Sequence, residues 1–306
     1  MSHSHMQSWS LALATACALV VTALVYLRGW LCLRNAFPKL IPGWRLAAFM
    51  SGLLSTLIAV ASPLTTLDHQ SITIHMMKHL LLMTVSAPLI LAGTPLFPLV
   101  CGLPKLFIKS HRPLAGVAER WLEGGPSHSL LCWLAGTAAV IGWHLPVAFQ
   151  LGMRSDWVHN LEDVSFLLAG LLFWLPVMQS SPNTMTSSRW SLALYLFFAT
   201  LPCDVLSAFL VFGNRLVYPY YLSTAQLFSM SPLQDQQCAG ALMWVWVTFA
   251  YLIPAVAITV QILSPPAAES QAAMQSGRQR IANRPRRQLD NRPKVFLAEN
   301  HYSPGE

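Results

Sequence analysis

The stretch ITIHMMKHLLLMTVSAPLIL, residues 72–91, decides how the rest of the chain is read. As an α-helix rising about 1.5 Å per residue, a run of this length crosses the hydrocarbon core of a bilayer. Its only formal charge is Lys78, and the flanking His75 and His79 stand one helical turn apart. A helix on the surface of a soluble protein needs a wet, charged face, and this stretch has none. It reads as a membrane span with a few polar residues set inside it.

Six further apolar runs lie on either side: Trp9–Leu27, Leu46–Pro63, Ser129–Phe149, Asn160–Val177, Trp190–Phe212 and Ala239–Leu263. The expected fold is therefore an all-α, polytopic membrane bundle of seven transmembrane helices over residues 1–263. Pro95, Pro98 and Pro104 make the segment from Gly93 to Lys109 an interfacial or broken continuation, not an eighth span. The first run is expected to remain as a span, since no basic residue precedes it and Arg28 and Arg34 follow it.

Composition agrees. Of 306 residues, 54% are hydrophobic and 10% charged, with 11 of the 31 charges in residues 264–306. A soluble domain carries about a quarter charged residues. A cytosolic enzyme, a secreted disulfide scaffold and a nucleic-acid-binding domain are thereby excluded, and basic loops account for the net charge of +7. The tail from Ser264 onward, basic and poor in large apolar residues, is expected to be a disordered cytoplasmic segment. The six cysteines form no C-x-x-C or C-x-C pair, so they carry neither a redox motif nor a thiolate metal site.

The basic residues also orient the bundle. With the N-terminus outside and the C-terminus inside, sixteen Lys and Arg fall on inner segments and only Arg154 and Arg215 on outer ones. Polar residues within spans are costly and are functional candidates. On this orientation they share the outer layer: His75 and His79 about 4 and 10 Å deep, His144 about 9 Å deep, and His159 at the rim, followed by Glu162 and Asp163. Asp235 precedes the last span on the same side. The candidate metal ligands are His75, His79, His144 and His159, with Met76, Met77 and Asp163 as extra donors; imidazole with thioether favours Cu(I). Lys78 needs a counter-ion, and Asp204, at similar depth in the sixth span, is the expected partner. H-x-x-x-H is not a zinc-protease motif here, because Met76 stands where the catalytic Glu would be. Phosphate-binding, nucleophile-elbow and dinucleotide motifs are lacking, and the chain is not expected to be an enzyme.

The run His75-Met76-Met77-Lys78-His79-Leu80-Leu81-Leu82, with Pro88 and Gly93-Thr94-Pro95, is followed by Trp143-His144-Leu145-Pro146 and His159 through Glu162. Then come Phe173-Trp174-Leu175-Pro176, Tyr218-Pro219, Asp235-Gln236-Gln237, Gly240 and Met243-Trp244. In this order the motifs resemble those of the CtaG-type cytochrome c oxidase assembly factors of bacterial membranes, over residues 45–262 or so. The resemblance implies a multi-pass protein of the bacterial inner membrane whose partners are cytochrome c oxidase subunits. It also implies help with copper insertion into the catalytic subunit, and it carries the family's histidines onto His75, His79, His144 and His159. Asp163 stands where the family usually has a second histidine after the Glu, and a carboxylate is a harder ligand for Cu(I). Two other readings stay open: a haem or quinone electron-transfer protein with axial ligands such as His75 and His144, and a metal-free scaffold for oxidase biogenesis.

Overall fold

Apolar runs of this length leave the backbone one economical way to satisfy its N–H and C=O groups in lipid, and that is the helix. The computed structural model describes residues 2–34, 41–61, 64–104, 126–179, 186–224, 227 and 229–263, and among these no strand occurs. In chain order the helices are α1 (Ser2–Arg34), α2 (Gly43–Ala61), the single turn α3 (Leu64–Leu67) and α4 (Ile72–Leu80). A π-helical stretch, Leu81–Ser86, joins α4 to α5 (Ala87–Ala92), and α6 (Leu96–Gly102) follows. Then come α7 (Pro126–His144), α8 (Pro146–Arg154), α9 (Asp156–Gln179), α10 (Thr186–Phe212), a 3-10 turn at Pro219–Leu222, and α11 (Pro232–Leu263). Six of the helices are long and apolar enough to cross a membrane, and a seventh crossing is reached when α7 and α8 count as one bent span. The all-α, multi-span expectation holds.

Three boundaries differ from the sequence reading, each for a local reason. The fourth span does not run on to Phe149: the chain bends by 73° between α7 and α8. Pro146 drives Leu145 out of the helical region to φ −64°, ψ 132°, so Phe149 belongs to the next helix. α9 starts at Asp156, which puts His159 inside its first turn instead of before it. α11 starts at Pro232, so Asp235 lies within the helix and not ahead of it. The expected tail, and the part of the broken continuation from Lys105 onward, lie outside the described residues.

The core forms two clusters. One gathers Met76, Leu82, Met83, Phe149, Phe166, Phe173, Trp174, Leu196, Met243 and Tyr251 from α4 through α11. The other joins α1 to α2 through Tyr26, Trp30, Ile41, Phe49 and Leu53, with the Tyr26 and Phe49 rings stacked 3.8 Å apart. The π-helical stretch lies between α2 and α9 and breaks the regular ladder. Two of the groups it displaces find partners: Trp174 Nε1 donates to Met83 O (3.0 Å) and the Thr84 hydroxyl to Leu80 O (2.7 Å). α9 comes close enough here that a Cβ on Gly170 would sit 2.9 Å from Met83 Cα. Glycine is the residue that allows this approach.

Candidate metal centre

The polar residues gather at one end of the bundle, where the α3–α4, α8–α9 and α10–α11 connections meet. α4 begins at Ser71, whose Oγ accepts from Ile74 N (3.4 Å), and another helix completes this cap. Asp235 of α11 accepts from Ile72 N (2.6 Å), Thr73 N (3.3 Å), Ser71 Oγ (2.9 Å) and Thr73 Oγ1 (2.7 Å). A carboxylate on the exposed amides of a helix N-terminus is electrostatically favourable, and it ties the start of α4 to α11. His75, Lys78 and His79 then face α9 together, as i, i+3 and i+4 positions must.

α9 answers with His159, Glu162 and Asp163, all buried. Lys78 Nζ lies 2.6 Å from Asp68 Oδ2, 3.0 Å from Asp163 Oδ1 and 2.6 Å from His159 Nε2. His159 Nε2 is also 3.0 Å from Asp68 Oδ2, and its Nδ1 is 3.6 Å from Glu162 Oε2. The carboxylate of Glu162 reaches the other two rings: Oε1 is 3.4 Å from His75 Nε2 and 3.7 Å from His79 Nε2. His79 Nε2 is 3.5 Å from Asp163 Oδ1. The His75 and His79 rings meet edge to face at 4.3 Å, while Phe149 covers His75 and Phe166 stacks on His79 at 4.1 Å.

Short distances here do not mean satisfied groups. Neither ring nitrogen of His75 has a hydrogen-bond partner among the described residues, nor do His79 Nε2, His159 Nδ1 and Glu162 Oε2. Buried polar atoms are normally paired, so a knot of orphaned imidazole and carboxylate atoms needs an explanation. Two overlapping trios have donor atoms all within 4.8 Å of one another: Asp68, His75 and His159, and His75, His79 and Glu162. Either could close around one metal ion without a new residue entering.

The expected Lys78–Asp204 pair is not formed. The ammonium is taken by Asp68, ten residues earlier in the turn between α3 and α4, and by Asp163 on α9. Cys203 of α10 points into the core, and the next residue is rotated about 100° around the helix, which leaves Asp204 half-buried and facing elsewhere. His144 also stands apart from the trios: its Nδ1 is 2.7 Å from Val140 O, and its Nε2 is 3.2 Å from Met76 Sδ. Met77 is half-buried on another face of α4. Asp163 and Glu162 belong to the cluster, and Asp235 serves as the cap below it.

Asp68 is the member that sequence reasoning missed. It is the only acidic residue before Glu119 and it precedes the buried Lys78 by ten positions, a signal that was there to be used. Burial alone would push its carboxyl up, but the His159 hydrogen bond and the Lys78 charge prevail and hold it well below the usual carboxylate range. Tyr221 donates to Asp68 O (2.7 Å) and so ties the α10–α11 connection over the site. His69, its side chain 34% exposed, lies with Nε2 3.8 Å from Asp68 Oδ1 and its ring 5.2 Å from that of His159, at the edge where the cluster meets the surface.

A family model described as the cytochrome c oxidase caa3 assembly factor, Caa3_CtaG, matches residues 24–264. No curated protein and no solved structure matches the chain.

Proposed function

Because this chain belongs to the cytochrome c oxidase caa3 assembly factor family, we propose that it handles copper on the way to the oxidase's catalytic subunit, using the cluster of His75, His79, His159 and Glu162. The observation that carries this reading is a charge imbalance. In ionised form Asp68, Glu162 and Asp163 bring three negative charges, and Lys78 is the one buried ammonium among them. Uncompensated buried charge costs several kcal/mol per ion. The balance comes from protons, on the imidazoles or on the carboxyl groups themselves, or from a bound cation, and the orphaned nitrogen and oxygen atoms offer that cation its ligands.

The donor set suits the ion. Imidazole with carboxylate binds the later first-row metals, with copper at the top of the affinity order. The three carboxylates beside the rings make the cluster harder than four histidines and a thioether would be, which favours Cu(II) as readily as Cu(I). Copper is cargo here: the protein would hold it at the outer membrane face, where the distribution of basic residues puts this end of the bundle, and present it to the catalytic subunit. His69 and the α10–α11 connection lie at the cluster's open edge and are the parts a partner would meet first.

The haem alternative is poorly accommodated. His75 is enclosed by the rings of Phe149, His79 and His159, and the cavity beside His79 and His144 is about 20 Å³. Bound organic ligands of even modest size occupy pockets of roughly 300 Å³ or more. The test is the metal and haem content of the full-length protein purified in detergent after copper exposure, beside His79→Ala and Glu162→Gln. We expect copper without the visible absorption of haem in the parent, loss of the cluster's copper in both variants, and a failure of His79→Ala to support a copper-loaded oxidase. A parent protein free of copper, with His79→Ala still supporting assembly, would hand the function to the scaffold reading.

A further inference from the structure

Met76 turns its back on the carboxylates. One residue along α4 from His75, it points into the bundle, where its Sδ lies 3.2 Å from His144 Nε2. Both residues border the cavity of about 20 Å³, whose wall also includes Met83, Cys203 and Met243. Among the described residues no carboxylate borders it.

The state of the His144 ring follows from its other contact. Nδ1 lies 2.7 Å from Val140 O, and a carbonyl oxygen can only accept, so Nδ1 carries the proton. In the neutral ring Nε2 is then bare. It meets a thioether sulfur, which has no proton to give either, so two lone pairs face each other at hydrogen-bond distance with nothing shared between them. The His144 side chain is buried, its ring is oriented by the Val140 contact, and Tyr218 holds the backbone there by a 3.1 Å hydrogen bond to the His144 carbonyl oxygen. An imidazole anchored by one nitrogen on a backbone carbonyl, with the other nitrogen aimed at a second donor, is the arrangement that metal-ligating histidines adopt.

We propose that His144 Nε2 and Met76 Sδ form a second metal site, distinct from the carboxylate cluster and selective for Cu(I), with a sulfur of Met83, Met243 or Cys203 completing it from the cavity wall. Neutral imidazole and thioether donors in an apolar surround match a soft, singly charged ion and discriminate against harder divalent ones. The cavity has room for about one small particle the size of a water molecule. The site stands whether or not the cluster holds a metal. It gives the molecule two adjoining layers, one of nitrogen and oxygen donors and one of nitrogen and sulfur.

The test is a Cu(I) titration of the full-length protein in detergent against a chromogenic Cu(I) chelator under reducing conditions, joined to X-ray absorption at the copper edge. The parent should show copper with sulfur neighbours. Met76→Leu, which keeps the side-chain volume, should lose one equivalent of Cu(I), or bind it at least tenfold more weakly, and lose sulfur signal while keeping its thermal transition. If Met76→Leu proves misfolded, His144→Gln carries the same expectation for the nitrogen donor. Glu162→Gln, whose side chain is not part of the cavity wall, should retain the sulfur-bound copper while losing the cluster's, so the two sites fail separately. Copper bound by nitrogen and oxygen alone in the parent, or a sulfur signal undiminished in folded Met76→Leu, overturns the proposal.

Discussion

Two buried acidic groups sit within two turns of each other along α4 and behave oppositely. Asp235 accepts from two backbone amides and two hydroxyls, so both of its oxygens are hydrogen-bonded. Glu162, equally buried, has one oxygen without a hydrogen-bond partner and faces ring nitrogens that also lack one. Burial alone therefore does not identify a functional carboxylate. The first is finished by the protein and holds a helix in place; the second is left for something else to finish.

Lys78 lies on the boundary between these two conditions, and removing it should have the largest effect. Lys78→Met deprives Asp68 and Asp163 of their counter-charge, and loss of one partner from a buried ion pair typically costs about 3–5 kcal/mol. Denaturant unfolding in detergent should show this loss, with Lys78→Met/Asp163→Leu recovering a large part of it. A similar recovery from Lys78→Met/Asp204→Leu would break the assignment of the ammonium to Asp68 and Asp163.

Asp235→Ala comes next. It removes the acceptor of the first two amides of α4 and should lower stability by about 1–3 kcal/mol for the buried amides left without acceptors. The copper bound per folded molecule should stay unchanged. If that copper vanished while the fold survived, Asp235 would belong with the ligands and the contrast with Glu162 would dissolve.

The smallest stability change belongs to Glu162→Gln. Neutralising a carboxylate with one unpartnered oxygen in the metal-free protein should leave the unfolding free energy within about 0.5 kcal/mol of the parent, or raise it. A loss as large as that of Lys78→Met would show Glu162 to be a strut like Asp235.

Much of this was legible before any coordinates. Spans announce themselves through length and apolarity, which act residue by residue, and the layer shared by His75, His79 and His159 follows from counting turns. The partner of Lys78 was not legible that way. Depth matched Asp204 to Lys78, but depth is one coordinate and pairing needs three. Which way a residue faces around its own helix depends on how the helices are rotated against one another. His144 failed for a related reason: it shares the depth of the cluster, yet α7 turns it toward Met76. The bend at Leu145 was written in Pro146, and the early starts of α9 and α11 were hidden because polar first turns look like loops to a hydropathy count.

The π-helical turns at Leu81–Ser86 have a consequence for how this protein tolerates change in length. They act as a phase shifter. Upstream, α4 presents its polar side to α9; downstream, Ser86 bonds to Ser55 (2.8 Å) and Ile90 packs against Gly52, both on α2. Trimming one residue from 81–86 would let the stretch relax into regular α-helix with both flanks still in phase, because a π-helical turn takes up one residue more than an α-turn. Adding one residue there has no such outlet and would turn everything on one side by about 100° relative to the other. Either the imidazoles would then leave the acids or the serine contact would open, so this span tolerates a shortening at 81–86 better than a lengthening.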